Sequence, residues 1–249
     1  MRAGARTLPH LALVLACLVG ASVLLAGPGY RFGWWGLGLA FTLLRRGAQA
    51  GLVATAVAGL AVIATAGGHP GRRRAVALLA LGIALASFVV PWRMQVQARG
   101  VPPIHDVTTD PEDPPAFVAV LPRRVGARNP PAYAGAAVAA QQRRAYPEVA
   151  PLDLAAPPER AFGAVETVAR DLGWEIVAAV PAEGRLEATA TTRWFGFKDD
   201  VVVRVRARGA GSRVDVRSLS RIGVSDLGVN AARIRAFLDR MRASGLPVA

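Results

Sequence analysis

Hydrophobic positions along this chain change their period twice. Three unbroken apolar runs come first, at 11–26, 47–66 and 75–90. Each approaches the roughly 20 residues that cross a bilayer as a helix, with about 17 as the lower limit. The third is slightly short, and Arg74 and Arg93 beside it can snorkel to the interface. Pro28-Gly29 is predicted to break the first helix. Trp34 and Trp35, with Phe41 and Leu44 beyond, read as an interfacial segment. Gly67 to Gly71 reads as a turn with a solvated His69, followed by Arg72, Arg73 and Arg74.

From 100 to 151 periodicity disappears and proline is frequent, which predicts an extended linker. It is either without order or a strap lying on the membrane face or on a globular domain. Asp106, Asp110, Glu112 and Asp113 make its first part acidic. Arg123, Arg124, Arg128, Arg143 and Arg144 make its second part basic, suiting a solvated lipid-facing surface or a partner site.

Residues 152–249 carry regular patterns again. Pro157-Pro158 opens a helix with an apolar stripe at Phe162, Val165, Val168 and Leu172, and Gly173 ends it. Glu175 to Val180 is a strand and 181–184 a turn. Leu186, Ala188 and Ala190 alternate in the next strand, Val201, Val203, Val205 and Ala207 in a third, Val214, Val216 and Ser218 in a fourth. Ala231, Ile234, Leu238 and Met241 then recur at helical spacing, up to Gly245 and Pro247. The order is helix, four-stranded antiparallel meander, helix: a compact α+β domain. Both helices are expected on one sheet face, with the charged face toward water.

The turn before the last helix is polar. Ser225, Asp226 and Asn230 are good N-caps, so two readings stand: capping, or an anion held by free N–H groups at the helix start. DVRSLSRIGVSDLGVNAARIRAFL at 215–238, LGW at 172–174, EA at 187–188 and FKDD at 197–200 resemble a bacterial family catalogued as domain of unknown function 1499. IHDVTTDPEDPPAF at 104–117 looks like the upstream signature of its membrane-anchored members. The resemblance implies kinship over most of the chain and brings no activity with it.

Charge separates the two parts. Residues 1–150 hold 15 Arg against five acids, giving +10, and residues 151–249 hold 14 Arg and one Lys against 12 acids, giving +3. The basic excess lies with the apolar runs and the linker, which suits anionic lipid headgroups and not nucleic acid. Cys17 is the single cysteine, so no intrachain disulfide forms. Arg2 and Arg6 before the first run raise a signal peptide, and VLAC at 14–17 a lipoprotein site. The run continues well past Cys17, which favours an uncleaved span. With the N-terminus inside, five arginines fall on each side. The compact triplet at Arg72 to Arg74 places that hairpin in the cytoplasm and the C-terminal domain outside.

Candidate chemistry is sparse. His10, His69 and His105 are the only histidines, and none lies in 152–249, which excludes a Cys–His or Ser–His hydrolase and an N/S-type zinc site there. Asp199 and Asp200 are the one adjacent carboxylate pair, yet neighbours in a strand point apart. His105, Asp106, Thr108, Thr109 and Asp110 offer oxygen ligands for a hard cation without EF-hand spacing. Ser218 and Ser220 lack a histidine base. Trp194, Phe195 and Phe197 on one loop suit a bilayer surface, a pocket lid or a satellite of the core. The candidate ligand or partner surface is therefore Trp194, Phe195, Phe197, Asp199, Asp200, Arg204, Arg217, Ser220, Arg221, Ser225, Asp226 and Asn230, with no cofactor and no metal.

Register follows from face matching. Val201, Val203 and Val205 must share a face with Val214 and Val216, so opposed residues need an odd index sum. The expected sum places Arg206 opposite Asp215 and Arg204 opposite Arg217, with Glu187 on the same exposed face in a charge ladder. These features predict a multi-pass protein of the bacterial inner membrane with an extracytoplasmic domain. That domain would bind a lipid or an envelope protein without catalysis. The alternatives are an enzyme with a carboxylate–arginine site around Asp199, Asp200 and 217–226, and a structural envelope assembly factor.

Overall fold

The computed structural model describes residues 4–66 and 71–249. Of the expected turn at 67–71, residues 67–70 with His69 lie outside them, as does Arg2. Among the described residues the chain forms two compact units, one of residues 4–99 with Arg193–Gly196, the other of Gly100–Thr192 with Phe197–Ala249.

The first unit holds three helices long and apolar enough to cross a membrane, α1 (Gly4–Arg31), α2 (Leu37–Ala64) and α3 (Arg72–Gly100). All three outrun the apolar runs that announced them. Pro28 does not break α1, because near a helix end a proline removes a single donor. Gly29 has no side chain, and a Cβ there would fall 1.9 Å from the Trp35 ring. Phe41 and Leu44, expected in an interfacial segment, belong to α2, whose Arg45 and Arg46 remain exposed. Pro91 likewise sits inside α3. Ala12, Ala16, Ala54, Ala58, Ala61, Ala77, Ala80 and Ala84 fill the interior of the unit. Small residues allow close helix approach where no hydrophobic effect drives it. A Cβ on Gly51 would lie 3.0 Å from the Phe88 backbone nitrogen.

The second unit is the α+β domain. Its predicted meander is present as β3 (Glu175–Val180), β4 (Arg185–Thr191), β5 (Lys198–Arg208) and β6 (Gly211–Ser220). The helices α5 (Pro158–Asp171) and α6 (Val229–Arg242) pack on one face. Phe162, Val165 and Val168 meet Leu186, Val203, Val216, Ile234 and Leu238 there, and Trp174 stacks on Phe237 at 5.3 Å. Each fully buried Leu or Phe contributes roughly 1.5–3 kcal/mol. Gly173, at φ 73°, ends α5 with the Trp174 amide donating to the Ala169 carbonyl. Gly184 must be glycine, since a Cβ would sit 2.0 Å from the Val205 carbonyl oxygen.

The stretch read as a linker is part of this domain. It supplies β1 (Asp106–Thr108), a short 3-10 turn at Leu121–Arg124, and α4 (Ala136–Ala145). A further strand, β2 (Leu152–Leu154), precedes α5. Both β1 and β2 pair antiparallel with β6, so the sheet has six strands among the described residues. The physical reason is edge protection. The outer side of β6 would otherwise present unpaired backbone groups to solvent. Between the two strands Thr109 bridges to Val216 through its amide and hydroxyl. Two chain lengths of low periodicity thus bury as edge strands too short to show alternation.

The face opposite the helices, expected to meet water, is largely covered, with Arg206 near the turn still exposed. Residues 106–131 lie across it, and Asp215, Glu187 and Asp200 are 0% exposed. Phe117 and Val120 pack there on Val202 and Leu219. The parity of the register is as expected, with Val203 opposite Val216 and Val205 opposite Val214. The pairing is displaced by two residues: Arg204 faces Asp215, Arg206 faces Arg213, and Arg217 faces Val202. Gly209 and Ala210 make the turn, while Gly211 serves another purpose. A Cβ on Gly211 would lie 2.1 Å from the Leu154 carbonyl oxygen, so this glycine admits β2. Ala207, expected in the core, is exposed near that turn.

Candidate functional site

The candidate residues separate into three groups. Asp199 and Asp200 occupy the start of β5 and point to opposite faces, as strand neighbours must. Asp199 lies on the helix side and accepts from Arg233 Nη2 at 2.6 Å. Arg233 also donates to Ser218 Oγ at 2.9 Å and to Asn230 Oδ1. Ser218 Oγ donates to Asn230 Oδ1 at 2.7 Å, and Asn230 Nδ2 donates to Ser220 Oγ at 3.0 Å and the His105 carbonyl at 2.9 Å. The two serines are hydrogen-bond partners of α6, which ties the helix start to β6 and the β1 approach.

The helix start itself is capped from within. Asp226 accepts from the Gly228 amide at 2.8 Å and the Asn230 amide at 2.6 Å, and Ser225 accepts from the Leu227 amide at 3.2 Å. The N-cap position is Gly228 and none of the three expected residues, yet Asp226 takes two of the amides at the helix start from two residues earlier, in keeping with the capping reading. Burial raises the Asp226 carboxyl above its ordinary value, against the opposing pull of those two amides. Tyr146 lies close to Gly228, and burial followed by the Asp226 charge pushes its phenol up.

Asp200 lies on the other side. It accepts from Arg124 Nη1 at 2.5 Å, from Arg221 at 2.8 and 2.9 Å, and from Thr189 Oγ1 at 2.9 Å. Burial draws the Arg124 guanidinium below its usual value, with Asp200 opposing. Arg124 is therefore an internal counter-ion and not part of a lipid-facing basic surface. Arg217 donates to both oxygens of Asp106, at 2.9 and 2.7 Å, and to the Pro115 and Pro131 carbonyls. Its guanidinium lies 4.9 Å from the Phe117 ring and 5.5 Å from the Tyr133 ring. Burial pushes the Tyr133 phenol up to about 12.

Arg204, Arg206 and Arg213 meet Asp110, Asp113 and Asp215 in one interlocked cluster, with Arg204 to Asp215 and Arg206 to Asp215 each 3.1 Å. A hydrogen bond from Arg206, then the charge of Arg204, lowers the Asp113 carboxyl. Glu187, expected in an exposed ladder, instead accepts the amides of Val118, Ala119 and Val120 at 2.9–3.1 Å and pairs with Arg185. The acids Asp106 and Asp110, offered by the sequence as cation ligands, are taken up by arginines. Among the described residues no group of three His, Cys, Asp or Glu side chains stands close enough to hold a metal ion.

The aromatic loop divides. Phe197 stays in the domain, its amide donating to Thr192 Oγ1 at 2.9 Å. Trp194 and Phe195 belong with the helices. Phe195 is buried between Tyr30 and Phe41, with ring centroids 6.2 and 5.8 Å away. Trp194 Nε1 donates to the Leu24 carbonyl at 3.1 Å. That carbonyl is four residues before Pro28, which has no N–H to offer it, so the indole satisfies an acceptor the helix cannot. Sequence reasoning missed Arg124, Arg233 and Asp106 as partners; it did name Asp215 and Glu187, and Arg206 meets Asp215, but Glu187 pairs with Arg185. The one available signal was the matching of an acidic strap to an arginine-rich sheet face.

The fold and its wiring define a class: an α+β domain with a buried, ion-paired sheet face, in a chain with three helices able to span a membrane. The chain belongs to the family described as protein of unknown function (DUF1499), whose model matches residues 106–241. The match begins at Asp106, so the strap is part of the family unit. No curated protein matches the chain.

Proposed function

We propose that this protein is a multi-pass component of a bacterial inner membrane, with its C-terminal domain outside the cytoplasm, that binds a lipid without catalysing a reaction on it. One observation carries the reading. The candidate carboxylates Asp199 and Asp200 are buried and paired with arginines, whereas Trp194 borders an apolar crevice among the helices. A catalytic acid needs a reachable position and a proton to exchange, and Asp199 and Asp200 are 3% and 0% exposed on opposite faces. The Arg72–Arg74 triplet supports the orientation. Extraction of the purified full-length protein followed by mass spectrometry is expected to yield a phospholipid near one per chain. Recovery of none would count against lipid binding. Alkaline phosphatase fused after Arg99 is expected to be active, and inactivity there would reverse the orientation.

A protein partner is the second reading. Val118, Leu121 and Val125 are exposed around the 3-10 turn, an apolar surface that a neighbouring envelope protein would cover. A photocrosslinker at Val125 that captures no protein in cells would remove its support.

A further inference from the structure

We propose that the crevice between α1 and α3 holds a single acyl chain of a phospholipid whose phosphate lies toward Arg93. This rests on the lipid-binding reading and names its site. The crevice is a half-open groove of about 230 Å³ among Gly20, Val23, Leu24, Ile83, Ala86 and Val90, with Trp194 and Ser87 completing the lining. Its polar atoms have partners elsewhere. Ser87 Oγ donates to the Ile83 carbonyl at 2.8 Å, and Trp194 Nε1 to the Leu24 carbonyl at 3.1 Å. The lining therefore presents hydrocarbon, and a polar occupant would lose its hydration without replacement. Both helices are long and apolar enough to cross a membrane, so the hydrocarbon at hand is lipid.

Size agrees with one chain segment. An apolar cavity of about 150 Å³ accommodates benzene, so this crevice has room for roughly nine carbons. Gly20 sets the width: a Cβ there would stand 3.0 Å from Ile83 Cγ2 and 3.4 Å from Ser87 Oγ. Direction comes from Val90, which also lines a broader groove with Trp92, Arg93 and Met94. Arg93 is exposed one helical turn past Val90, about 4.5 Å further along the axis. Trp92 beside it is half exposed and stacks on Phe88, as an interfacial tryptophan would. A cation at headgroup depth beyond an apolar crevice fits a phosphate-bearing lipid.

The experiment is native mass spectrometry of the full-length protein, delipidated in detergent and then given phosphatidylglycerol. Ala86→Phe places a ring in the crevice from an exposed position. Leu78→Phe adds bulk to an exposed position of the same helix away from it. The wild type and Leu78→Phe are expected to retain one lipid, Ala86→Phe to retain at least fivefold less, and Arg93→Gln to retain less phosphatidylglycerol while keeping its retention of diacylglycerol, which has no phosphate; undiminished phosphatidylglycerol in Arg93→Gln would refute the phosphate's place at Arg93. If the wild type retains lipid and Ala86→Phe retains as much, the crevice is refuted and lipid binding stands. If Leu78→Phe loses lipid equally, the lipid is annular and the crevice is refuted. If the wild type retains none, both fall.

Discussion

Removing the Arg217 guanidinium tests whether the strap is a structural part of the domain. In Arg217→Met the Asp106 carboxylate loses both hydrogen bonds, at 2.9 and 2.7 Å, while remaining 3% exposed. The Pro115 and Pro131 carbonyls lose a donor, and the cation leaves the space between Phe117 and Tyr133. Breaking a buried pair on one side costs about 3–5 kcal/mol, mostly because the remaining charge is left without a partner. Against a total stability of about 5–15 kcal/mol for a domain, this raises the unfolded fraction by roughly two to three and a half powers of ten. Adding Asp106→Asn removes the stranded charge, so the double variant is expected to recover part of the loss. Hydrogen exchange of the full-length protein in detergent, read on peptides covering 104–109 and 214–220, measures the change locally and globally. A loss below about 1 kcal/mol is the value of an exposed ion pair and would refute the burial argument. So would a double variant no better than Arg217→Met.

Three further perturbations separate the other contacts. Glu187→Gln leaves one acceptor oxygen for three amides, and at about 1.5–3 kcal/mol per charged hydrogen bond it should destabilise by a similar amount, with exchange rising first at 118–120. Gly184→Ala puts a Cβ 2.0 Å from the Val205 oxygen at φ 60°, so its urea midpoint should fall by more than the equivalent of about 1 kcal/mol. Asp226 binds its proton more tightly folded than unfolded, so its contribution is full below the ordinary carboxylate range and is lost as pH rises through its raised value. The stability of the wild type relative to Asp226→Asn should therefore decline across that interval in urea titrations, and a flat difference would contradict the burial of the carboxyl.

Period and parity made the helix face of the domain legible from the residues. Leu186, Val203, Val216 and Ile234 sit where alternation and helical spacing put them, because one buried face imposes those periods. The strap was not legible for the opposite reason. A three-residue strand such as Asp106–Thr108 is too short to alternate, and its prolines argue for a linker. Its placement depends on partners a hundred residues away, such as Arg217 and Val216, which no local pattern encodes. Glycine misled the register in a specific way. The expected pairing needs a turn centred on Ala210-Gly211, but Gly209-Ala210 turns the chain and Gly211 admits the Leu154 backbone. The three apolar helices were found and their ends missed: Pro28 lies in the last turn of α1, where it is tolerated, and Pro91 sits inside α3, which continues to Gly100.

The wiring also bears on where a function can reside. Each polar residue of the 217–233 motif has a fold-level partner: Arg217 holds the strap, Ser218 and Ser220 hold Asn230, Arg221 holds Asp200, Asp226 caps α6, and Arg233 holds Asp199. Hydrogen bonding within the fold thus gives each of these side chains a structural role. The aromatic tip is different. Trp194 supplies a donor to a carbonyl that Pro28 cannot serve, which explains its indole nitrogen, yet a single hydrogen bond does not require so large a ring. The rest of that ring packs on Gly27, meets Phe195 edge-on at 5.2 Å and borders an apolar crevice, which is the surface the lipid proposal uses.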